Sequence, residues 1–486
     1  MPGVPLLPPP YASFRMSSLP ASIRQAATPA FQVTADAVTL ADAGAIPAAM
    51  DALVRLAVFG DEAEREWARW VIWEGARLVG TFSASIHDVY MARGRGEIPP
   101  VTVPAMNIRG PSYGTMRSIF RTARAMDGGA FILEIARSEI AYTEQRPAEY
   151  VAVALAAAMR EGYRGPVFIQ GDHFQVNAKK YKVDPAAEVL AVKQLATEAI
   201  AAGFYNIDLD TSTLVDLAHP TLDAQQRLNY EVGVELTRHV RGLEPAGVTI
   251  SLGGEIGEVG TENSTVAELE AFMDGYRRTL QAQAPGMVGL SKISVQSGTS
   301  HGGVVLADGS IADVALDFQT LEDLSRVSRE RYGLSGAVQH GASTLPESAF
   351  HRFPTTQTAE IHLATGFQNM LYDLLPDALR EEIYAWLRVH AADERKAGDS
   401  DEQFFYKTRK KAFGPFKRAL WDLPADVQAR VAAAYDAKFG FLFEQLGVRG
   451  TGPAVRRLVT GPMVPRLAPG RADAVEAAPD DAEAGE

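Results

Sequence analysis

The stretch from residue 166 to residue 210 decides the fold. PVFIQG (166–171) and FYNIDLD (204–210) are short apolar runs, and PAAEVLAVKQLATEAIAAG (185–203) between them has apolar residues at helical spacing and ends at a glycine. A strand, a helix and a second strand in this order form a unit whose two strands run parallel. Because the same rhythm recurs on both sides, we predict an α/β protein.

Eight apolar runs of strand length lie between residues 101 and 372, with helical patterns in most of the gaps. Eight such units predict a closed TIM (β/α)₈ barrel. The predicted strands are VTVPAMN (101–107), GAFILEIA (129–136), PVFIQG (166–171), FYNIDLD (204–210), GVTISLGG (247–254), MVGLSKISVQ (287–296), GAVQH (336–340) and AEIHLAT (359–365).

Additions flank the predicted barrel on both sides. We expect a poorly ordered N-terminus (1–30) and a helical extension (31–100) whose second helix is capped by Asp61. Residues 373–462 return to helical spacing and predict a helical appendage that serves as a lid or a subunit contact. The last segment, 463–486, has the acidic, proline-bearing composition of a disordered tail.

Composition limits the classes of function. The chain has 486 residues, 47% hydrophobic residues, a formal net charge of −13 and no cysteine. No apolar stretch reaches the roughly 18 residues of a membrane span, and the N-terminus lacks the pattern of a secretory signal, so we expect a cytoplasmic protein. The negative charge argues against nucleic acid as a partner. Without cysteine, a metal ion must be held by His, Asp or Glu.

Polar residues accumulate at the ends of the predicted strands, which meet at the mouth of a barrel where active sites lie. Asp172 and His173 end the third strand, His301 follows the sixth and His340 ends the seventh. Three imidazoles suit a catalytic zinc ion, and Asp172 beside them suits proton transfer. Carboxylates on neighbouring strands could orient the histidines; they are Asp208, Asp210 and Glu255. Glu255 could instead bind the metal directly.

Glycine and hydroxyl residues follow the sixth and seventh strands. SGTSHGG (297–303) and QHGAS (339–343) have the composition of loops that hold an anion with backbone N–H groups. We therefore expect a phosphate group on the substrate.

Four strings resemble those of the class II fructose-bisphosphate and tagatose-bisphosphate aldolases, over about Val101 to Tyr372. They are QGDHF (170–174), GGEIGEVGTE (253–262), SGTSHG (297–302) and QHGAS. The resemblance implies that Asp172 is the catalytic acid/base, that His173, His301 and His340 bind one Zn²⁺ per chain, and that Glu255 is an auxiliary ligand.

The same resemblance implies the reaction and the partners. The chain would be a lyase that cleaves or forms a C–C bond in a ketose (bis)phosphate, of the fructose 1,6-bisphosphate type, through a zinc-stabilised enediolate, as in glycolysis. A monovalent cation would assist at the phosphate loops, and the protein would be a homo-oligomer, a dimer or larger.

The sequence also departs from that family. IHLATG (361–366) places His362 where the family usually has asparagine, and GAST (341–344) keeps only Ser343 and Thr344 as hydroxyl donors. EIARSEIAYTEQ (134–145), with Ser138, is similar to accessory subunits of tagatose-bisphosphate aldolases. The predicted substrate contacts are Asn107, Ser138, Gly302, Gly341, Ser343, His362 and Thr365.

Three alternatives stay open. Lys292 inside the sixth strand could form a Schiff base, as in a metal-free aldolase. A zinc hydrolase on the same barrel would need a second metal site, for which Asp208, Asp210 and His362 are candidates. A noncatalytic accessory subunit would use its helical additions to bind a partner chain.

Overall fold

The computed structural model describes residues 18–257, 262–298, 306, 316–471 and 477–481. Its N-terminal part is a small αβ layer before the barrel. The elements are α1 (Ala21–Ala27), β1 (Phe31–Val33), β2 (Val38–Leu40), α2 (Ile46–Phe59), α3 (Glu62–Leu78), β3 (Thr81–Ala84) and α4 (His87–Gly94). The predicted cap of α3 is present, because Asp61 and Glu64 form a reciprocal capping box. The three short strands are additions to the helices that the sequence predicted.

Eight parallel strands form the closed barrel that the sequence predicted. They are β4 (Val103–Asn107), β5 (Ile132–Ala136), β6 (Gly165–Gln175), β7 (Asn206–Asp210), β8 (Ser251–Glu255), β9 (Lys292–Val295), β10 (Ala337–Gln339) and β11 (Glu360–Leu363). The ring closes because β11 pairs with β4 and β6 pairs with β7. The fold is therefore a TIM barrel with extra helices at both ends.

The ninth strand of the sheet, β3, lies outside the ring. It runs parallel to the first half of β6, with Thr81 opposite Gly165 and Ala84 opposite Phe168. β6 pairs with β7 only from Gln170 onward, so β3 is the neighbour of β6 before that residue. This pairing fixes the N-terminal addition to the bottom of the barrel.

Helices surround the barrel in the alternation expected from the sequence. Those between the strands are α5 (Ser112–Ala125), α6 (Arg137–Tyr142), α7 (Pro147–Arg160), α8 (Ala178–Val183), α9 (Pro185–Ala202), α10 (Leu222–Arg241), α11 (Val266–Gln283), α12 (Phe318–Glu330) and α13 (Arg352–Thr355), with α14 (Thr365–Leu374) after the last strand. α9 shows how they are bounded. Asp184 caps its first turn, and Gly203 ends it at a φ of +105°, a conformation that favours glycine.

The C-terminal part is helical, as the sequence predicted, and packs on the outside of the barrel. Its helices are α15 (Asp377–His390), α16 (Asp401–Thr408), α17 (Lys417–Trp421), α18 (Ala425–Gln445) and α19 (Gly452–Leu458). The longest, α18, lies against α5 and α14: Tyr435 donates to the carbonyl of Phe367 at 2.9 Å, and Asp436 pairs with Arg121. Within the described residues, no helix is long and apolar enough to cross a bilayer.

Parts of the segment predicted to be disordered make specific contacts. The carbonyls of Val464 and Arg466 accept hydrogen bonds from the indoles of Trp73 and Trp70 on α3. Further on, residues 477–481 lie against the loops that follow β5 and β6, where Asp481 contacts Arg137 at 3.1 Å. Tryptophan N–H groups and a buried guanidinium therefore hold stretches that composition alone would leave in solvent.

Candidate metal centre

A bulge in β6 turns two successive side chains into the barrel. The register between β6 and β7 shifts between Gly171 and Phe174, and His173 has a φ of +39°. In a regular strand Asp172 and His173 would point to opposite faces, whereas a bulge re-aims one of them. Both are buried, 5% and 6% exposed. The strained backbone thus delivers an acid and an imidazole to the same interior.

Gly171 makes this bulge possible. A Cβ at this position would lie 2.4 Å from the ring of Phe174, which folds back over the glycine. Any larger residue would displace that ring and the strand end beyond it. The sequence predicted a strand that ends at Gly171, and the structure extends it to Gln175 because pairing with β7 resumes after the bulge.

Three of the predicted metal ligands come together at the mouth. The ring centroids of His173 and His340 are 4.3 Å apart, and Glu255 Oε2 lies 3.7 Å from His173 Nδ1. One donor atom from each of these residues lies within 4.8 Å of the other two. The fourth predicted ligand, His301, and the predicted substrate contact Gly302 lie outside the described residues. Two imidazoles and a carboxylate are a donor set that suits Zn²⁺.

Asp210 orients the first of these imidazoles. Its Oδ2 atom lies 3.0 Å from Nδ1 of His173, and its other oxygen accepts from the hydroxyl of Ser212. A neutral ring with its proton on Nδ1 presents the Nε2 lone pair to a metal. Burial would raise the pKa of Asp210, but its bond to His173 outweighs this and lowers that pKa. Asp210 thus lies in contact with His173, one of the histidines that the sequence predicted it would orient.

Asp172 faces a fourth imidazole, that of His362. Asp172 Oδ1 lies 3.2 Å from His362 Nδ1, and the His362 ring stacks on His340 with centroids 4.0 Å apart. Burial would raise the pKa of Asp172, but the charges of His173 and His362 outweigh it and lower that pKa. Asp172 is therefore a carboxylate, the form that accepts a proton.

Asp208 has a different partner from the one expected. The sequence placed it beside the metal histidines, but its carboxylate lies 2.9 Å from the ammonium of Lys292, and its distance to His362 Nε2 is 3.7 Å. Burial raises the pKa of Asp208 to about 6, although Lys292 opposes that rise. The reason is that only β8 separates β7 from β9, and Gly253 of β8 has no side chain to keep Asp208 and Lys292 apart.

The other predicted substrate contacts lie at the same end of the barrel. Gly341 follows β10 with a φ of +69°, and the hydroxyl of Ser343 accepts from the backbone N–H of Ala364 at 2.6 Å. Thr365 begins α14 directly after β11. The loops after the last two strands therefore meet, as a shared anion site requires.

Asn107 and Ser138 follow β4 and β5, the next two strands around the barrel from β11. Asn107 ends β4 and donates from its amide to Glu139, whose carboxylate also pairs with Arg109. Ser138 is buried in α6, directly after β5. Arg109 is 13% exposed at its side chain and was not among the predicted residues.

Sequence reasoning missed a set of buried polar residues below the proposed metal ligands, here called the floor of the site: Glu134, Gln170 and Glu360. Glu134 Oε1 lies 3.1 Å from His362 Nδ1, and Glu360 Oε1 lies 2.8 Å from His362 Nε2. Gln170 bridges the two carboxylates through its amide group. The signal was present, because Glu134 in ILEIA and Glu360 in EIHL are charged residues inside apolar strands, and such residues are rarely buried without partners.

The charges of this interior fit a divalent cation. The carboxylates that line it are Glu134, Asp172, Asp208, Asp210, Glu255 and Glu360. Burial raises the pKa of Glu255 to about 8, with the charge of Asp210 adding to the rise. Burial likewise raises the pKa of Glu134 to about 8, and the charge of Asp172 adds to the rise. These groups resist being ionised together, and a metal ion held by His173, His340 and Glu255 would stabilise their charged forms.

Comparisons with known proteins agree with the resemblance drawn from the sequence. Residues 100–419 match the model of a family described as "Fructose-bisphosphate aldolase class-II", and the match extends past Tyr372 into the C-terminal helices. No curated protein sequence matches the chain significantly.

Solved structures with a similar fold include three from bacteria. Fructose-bisphosphate aldolase (Fba) from Campylobacter jejuni is 17% identical with a TM-score of 0.44, over 76% of this chain and 96% of that chain. The YdjI aldolase from Escherichia coli K12 is 12% identical with a TM-score of 0.46, over 76% and 99%. The fructuronate-tagaturonate epimerase UxaE from Cohnella laeviribosi is 13% identical with a TM-score of 0.48, over 72% and 82%.

Proposed function

The chain belongs to the class II fructose-bisphosphate aldolase family, and we propose that it is a zinc-dependent aldolase that acts on a phosphorylated ketose. Fructose 1,6-bisphosphate is the first substrate to test. The observation that carries the proposal is the bulge at His173, which brings Asp172 and that imidazole into one interior beside His340 and Glu255.

The proposed metal ligands are His173, His340 and Glu255, with His301 as the third imidazole proposed from the sequence. Bound there, Zn²⁺ would supply a Lewis acid for the carbonyl of the ketose. Asp210 keeps His173 in the tautomer that presents Nε2 to the metal. The chain's own residues carry the remaining steps.

Asp172 is the proposed acid/base. Positive charge beside it, from imidazolium groups or from a bound metal ion, outweighs its burial and lowers its pKa, so Asp172 is ionised at neutral pH and can accept a proton. In the cleavage direction it accepts the proton of the substrate hydroxyl as the C–C bond breaks, and in the reverse direction it returns that proton to the new hydroxyl. His362, within 3.2 Å of Asp172, keeps the carboxylate oriented.

The phosphate would bind between the loops after β10 and β11. The backbone at Gly341, the hydroxyl of Ser343 and the first turn of α14 at Thr365 offer N–H and O–H donors to an anion. Beside these loops, Asn107 and Arg109 at the end of β4 are placed to offer further donors to the substrate. These donors, grouped at the ends of the neighbouring strands β10, β11 and β4, favour a substrate that carries an anionic group.

The test combines metal analysis with an assay of aldol cleavage. We expect about one zinc per chain, cleavage of fructose or tagatose bisphosphate that is lost with a chelator, and an Asp172→Asn variant that keeps its zinc but loses at least about 100-fold in kcat. Asp88→Asn, an exposed aspartate of α4, serves as the control and should keep full activity. Zinc binding without cleavage of any phosphorylated ketose would contradict the aldolase assignment and favour an accessory subunit. Absence of zinc after reconstitution would contradict the metal centre itself.

A further inference from the structure

Lys292 is buried in the middle of the barrel with all its donors used. The side chain is 1% exposed, and Nζ donates to Gln170 Oε1 at 2.9 Å and to Asp208 Oδ2 at 3.0 Å, with Glu360 Oε1 as the third acceptor. An ammonium has three N–H groups, and each has an acceptor here. Burial would lower the pKa of Lys292, but the charges of Asp208 and Glu360 outweigh it and raise that pKa. Lys292 is therefore a cation, without the lone pair that a Schiff base needs.

The neighbouring strand makes room for this side chain. Gly253 of β8 lies opposite Lys292 in the register. A Cβ on Gly253 would stand 2.9 Å from Cε of Lys292 and 2.2 Å from Oδ1 of Asp208. A glycine at this position therefore allows the ammonium and its carboxylate to meet inside the barrel.

The ammonium adjoins the proposed metal ligands. A small cavity of about 10 Å³, room for one water molecule, is lined by His173, Glu255 and His340 on one side and by Asp208 and Lys292 on the other. The third acceptor of Lys292, Glu360, also contacts His362, whose ring stacks on His340. One continuous polar network therefore links the ammonium to the metal ligands.

Oxygen donors surround the ammonium as they would surround a metal ion. Asp208, Glu360 and the amide oxygen of Gln170 are ligands that Mg²⁺ and Mn²⁺ prefer. A second metal ion held by these oxygens, beside the cavity that the first ligands also line, would make a binuclear centre, the type of centre that a hydrolase would use. Here the ammonium of Lys292 takes these oxygens as its acceptors.

We propose that Lys292 is a built-in cation that takes the place of a second metal ion and keeps the centre mononuclear. This inference rests on the proposed function for its first metal ion. It predicts that a smaller, neutral residue at position 292 opens a second site, formed by Asp208, Glu360 and Gln170.

The test is the metal content of Lys292→Ala compared with the full-length parent chain. Both are reconstituted with Zn²⁺, Mn²⁺ or Mg²⁺, dialysed, and measured by elemental analysis and calorimetric titration. We expect one ion in the parent and two in Lys292→Ala, and a return to one in the double variant Lys292→Ala/Asp208→Asn. Lys417→Ala is the matched control, because Lys417 is also buried and paired with a carboxylate, Glu149, but lies on α17 outside the barrel.

The outcomes separate this inference from the proposed function. One ion in both the parent and Lys292→Ala overturns the role of Lys292 and leaves the aldolase proposal standing, whereas no ion in the parent overturns both. If the Lys292→Ala variant does not fold in the presence of a chelator, it is refolded in the presence of each metal ion in turn. Recovery of a cooperative melting transition with a metal ion but not with chelator supports the inference, and no recovery with any ion contradicts it.

Discussion

Nδ1 of His173 lies 3.0 Å from Oδ2 of Asp210, and both side chains are buried. The contact joins the end of β6 to the end of β7, directly after the bulge that turns His173 inward. His173 has a strained, left-handed backbone conformation, and such a conformation persists only when surrounding contacts hold the residue in place. Asp210 provides that support, and the proposed metal centre depends on it.

Replacing Asp210 with alanine should therefore weaken metal binding without removing a ligand. We expect a loss of about 10- to 100-fold in zinc affinity, the usual effect of losing the partner of a metal-bound histidine. Competition with a chromogenic chelator measures it. Asp216→Ala, an exposed aspartate just after β7, is the control and should bind zinc as the parent does. Equal affinities in the two variants would show that Asp210 has no orienting role.

Arg93 should be required for the closed bottom of the barrel. Its guanidinium, 2% exposed, donates to the carbonyls of Val101, Ser335 and Thr358, which lead into β4, β10 and β11. Arg93→Leu leaves these carbonyls without their donor, and we expect the free energy of unfolding to fall by about 3 kcal/mol. The matched change is Arg95→Leu, at an exposed arginine two residues further along the chain. It should lower the free energy of unfolding by less than about 0.5 kcal/mol. Urea denaturation of both variants provides the comparison.

The barrel could be predicted from the sequence because its signal is local. Each strand is an apolar run of limited length, and each helix has its own periodicity and caps, so the order of elements follows without knowledge of contacts. The placement of Asp210 beside His173 followed from the same rule, because the ends of parallel strands meet at one edge. That rule also brought together His173, His340 and Glu255.

The floor of the site could not be predicted in this way. The partners of Lys292 come from β6, β7 and β11, none of which pairs with β9, so their meeting depends on the curvature of the sheet and on the small Gly253 of β8. The bulge at His173 was equally hidden, because a positive φ at a histidine is imposed by the pairing of β6 with β7 rather than by the residue itself. Besides the charged residues inside apolar strands, the sequence contained a second clue. With period two, Glu360 and His362 fall on the same face of their strand, so the histidine predicted a buried carboxylate beside it.

The C-terminal segment should detach when Asp481 is replaced. The Asp481 carboxylate lies 2.9 Å from Lys180 and 3.1 Å from the buried Arg137, and three residues earlier the N–H of Ala478 donates to Glu198. Asp481→Ala removes the charge that holds this stretch. We expect the amide of Ala478 to exchange with deuterium at least about tenfold faster, which corresponds to a loss of about 1.4 kcal/mol in docking.

A matched variant separates docking from a general effect of charge. Asp480 is the neighbouring aspartate, but its side chain is 67% exposed and pairs with Arg146 at the surface. Exposed ion pairs contribute little, so Asp480→Ala should leave the exchange of Ala478 almost unchanged. If both variants exchange alike, the segment is not held by the Asp481 contact.

His87 should make the protein less stable as the pH falls. Burial, with the charge of Arg241 adding to it, lowers the pKa of His87 to about 4. In the unfolded chain a histidine titrates near its usual value of about 6.5. Between those two values the unfolded chain binds a proton that the native protein does not, so the free energy of unfolding decreases as the pH falls through this window. The full loss attributable to His87 is at most about 3 kcal/mol.

The effect is measured as a difference between chains, because other groups titrate over the same range. His87→Gln removes the titration, and we expect its free energy of unfolding to fall less than that of the parent between about pH 6.5 and pH 4. His351→Gln, at an exposed histidine before α13, reports the effect of losing an imidazole at the surface. Denaturant titrations at several pH values give the three curves. If the His87→Gln curve runs parallel to that of the parent, His87 binds its proton equally well in the folded and unfolded chain, and its burial has no consequence for acid stability.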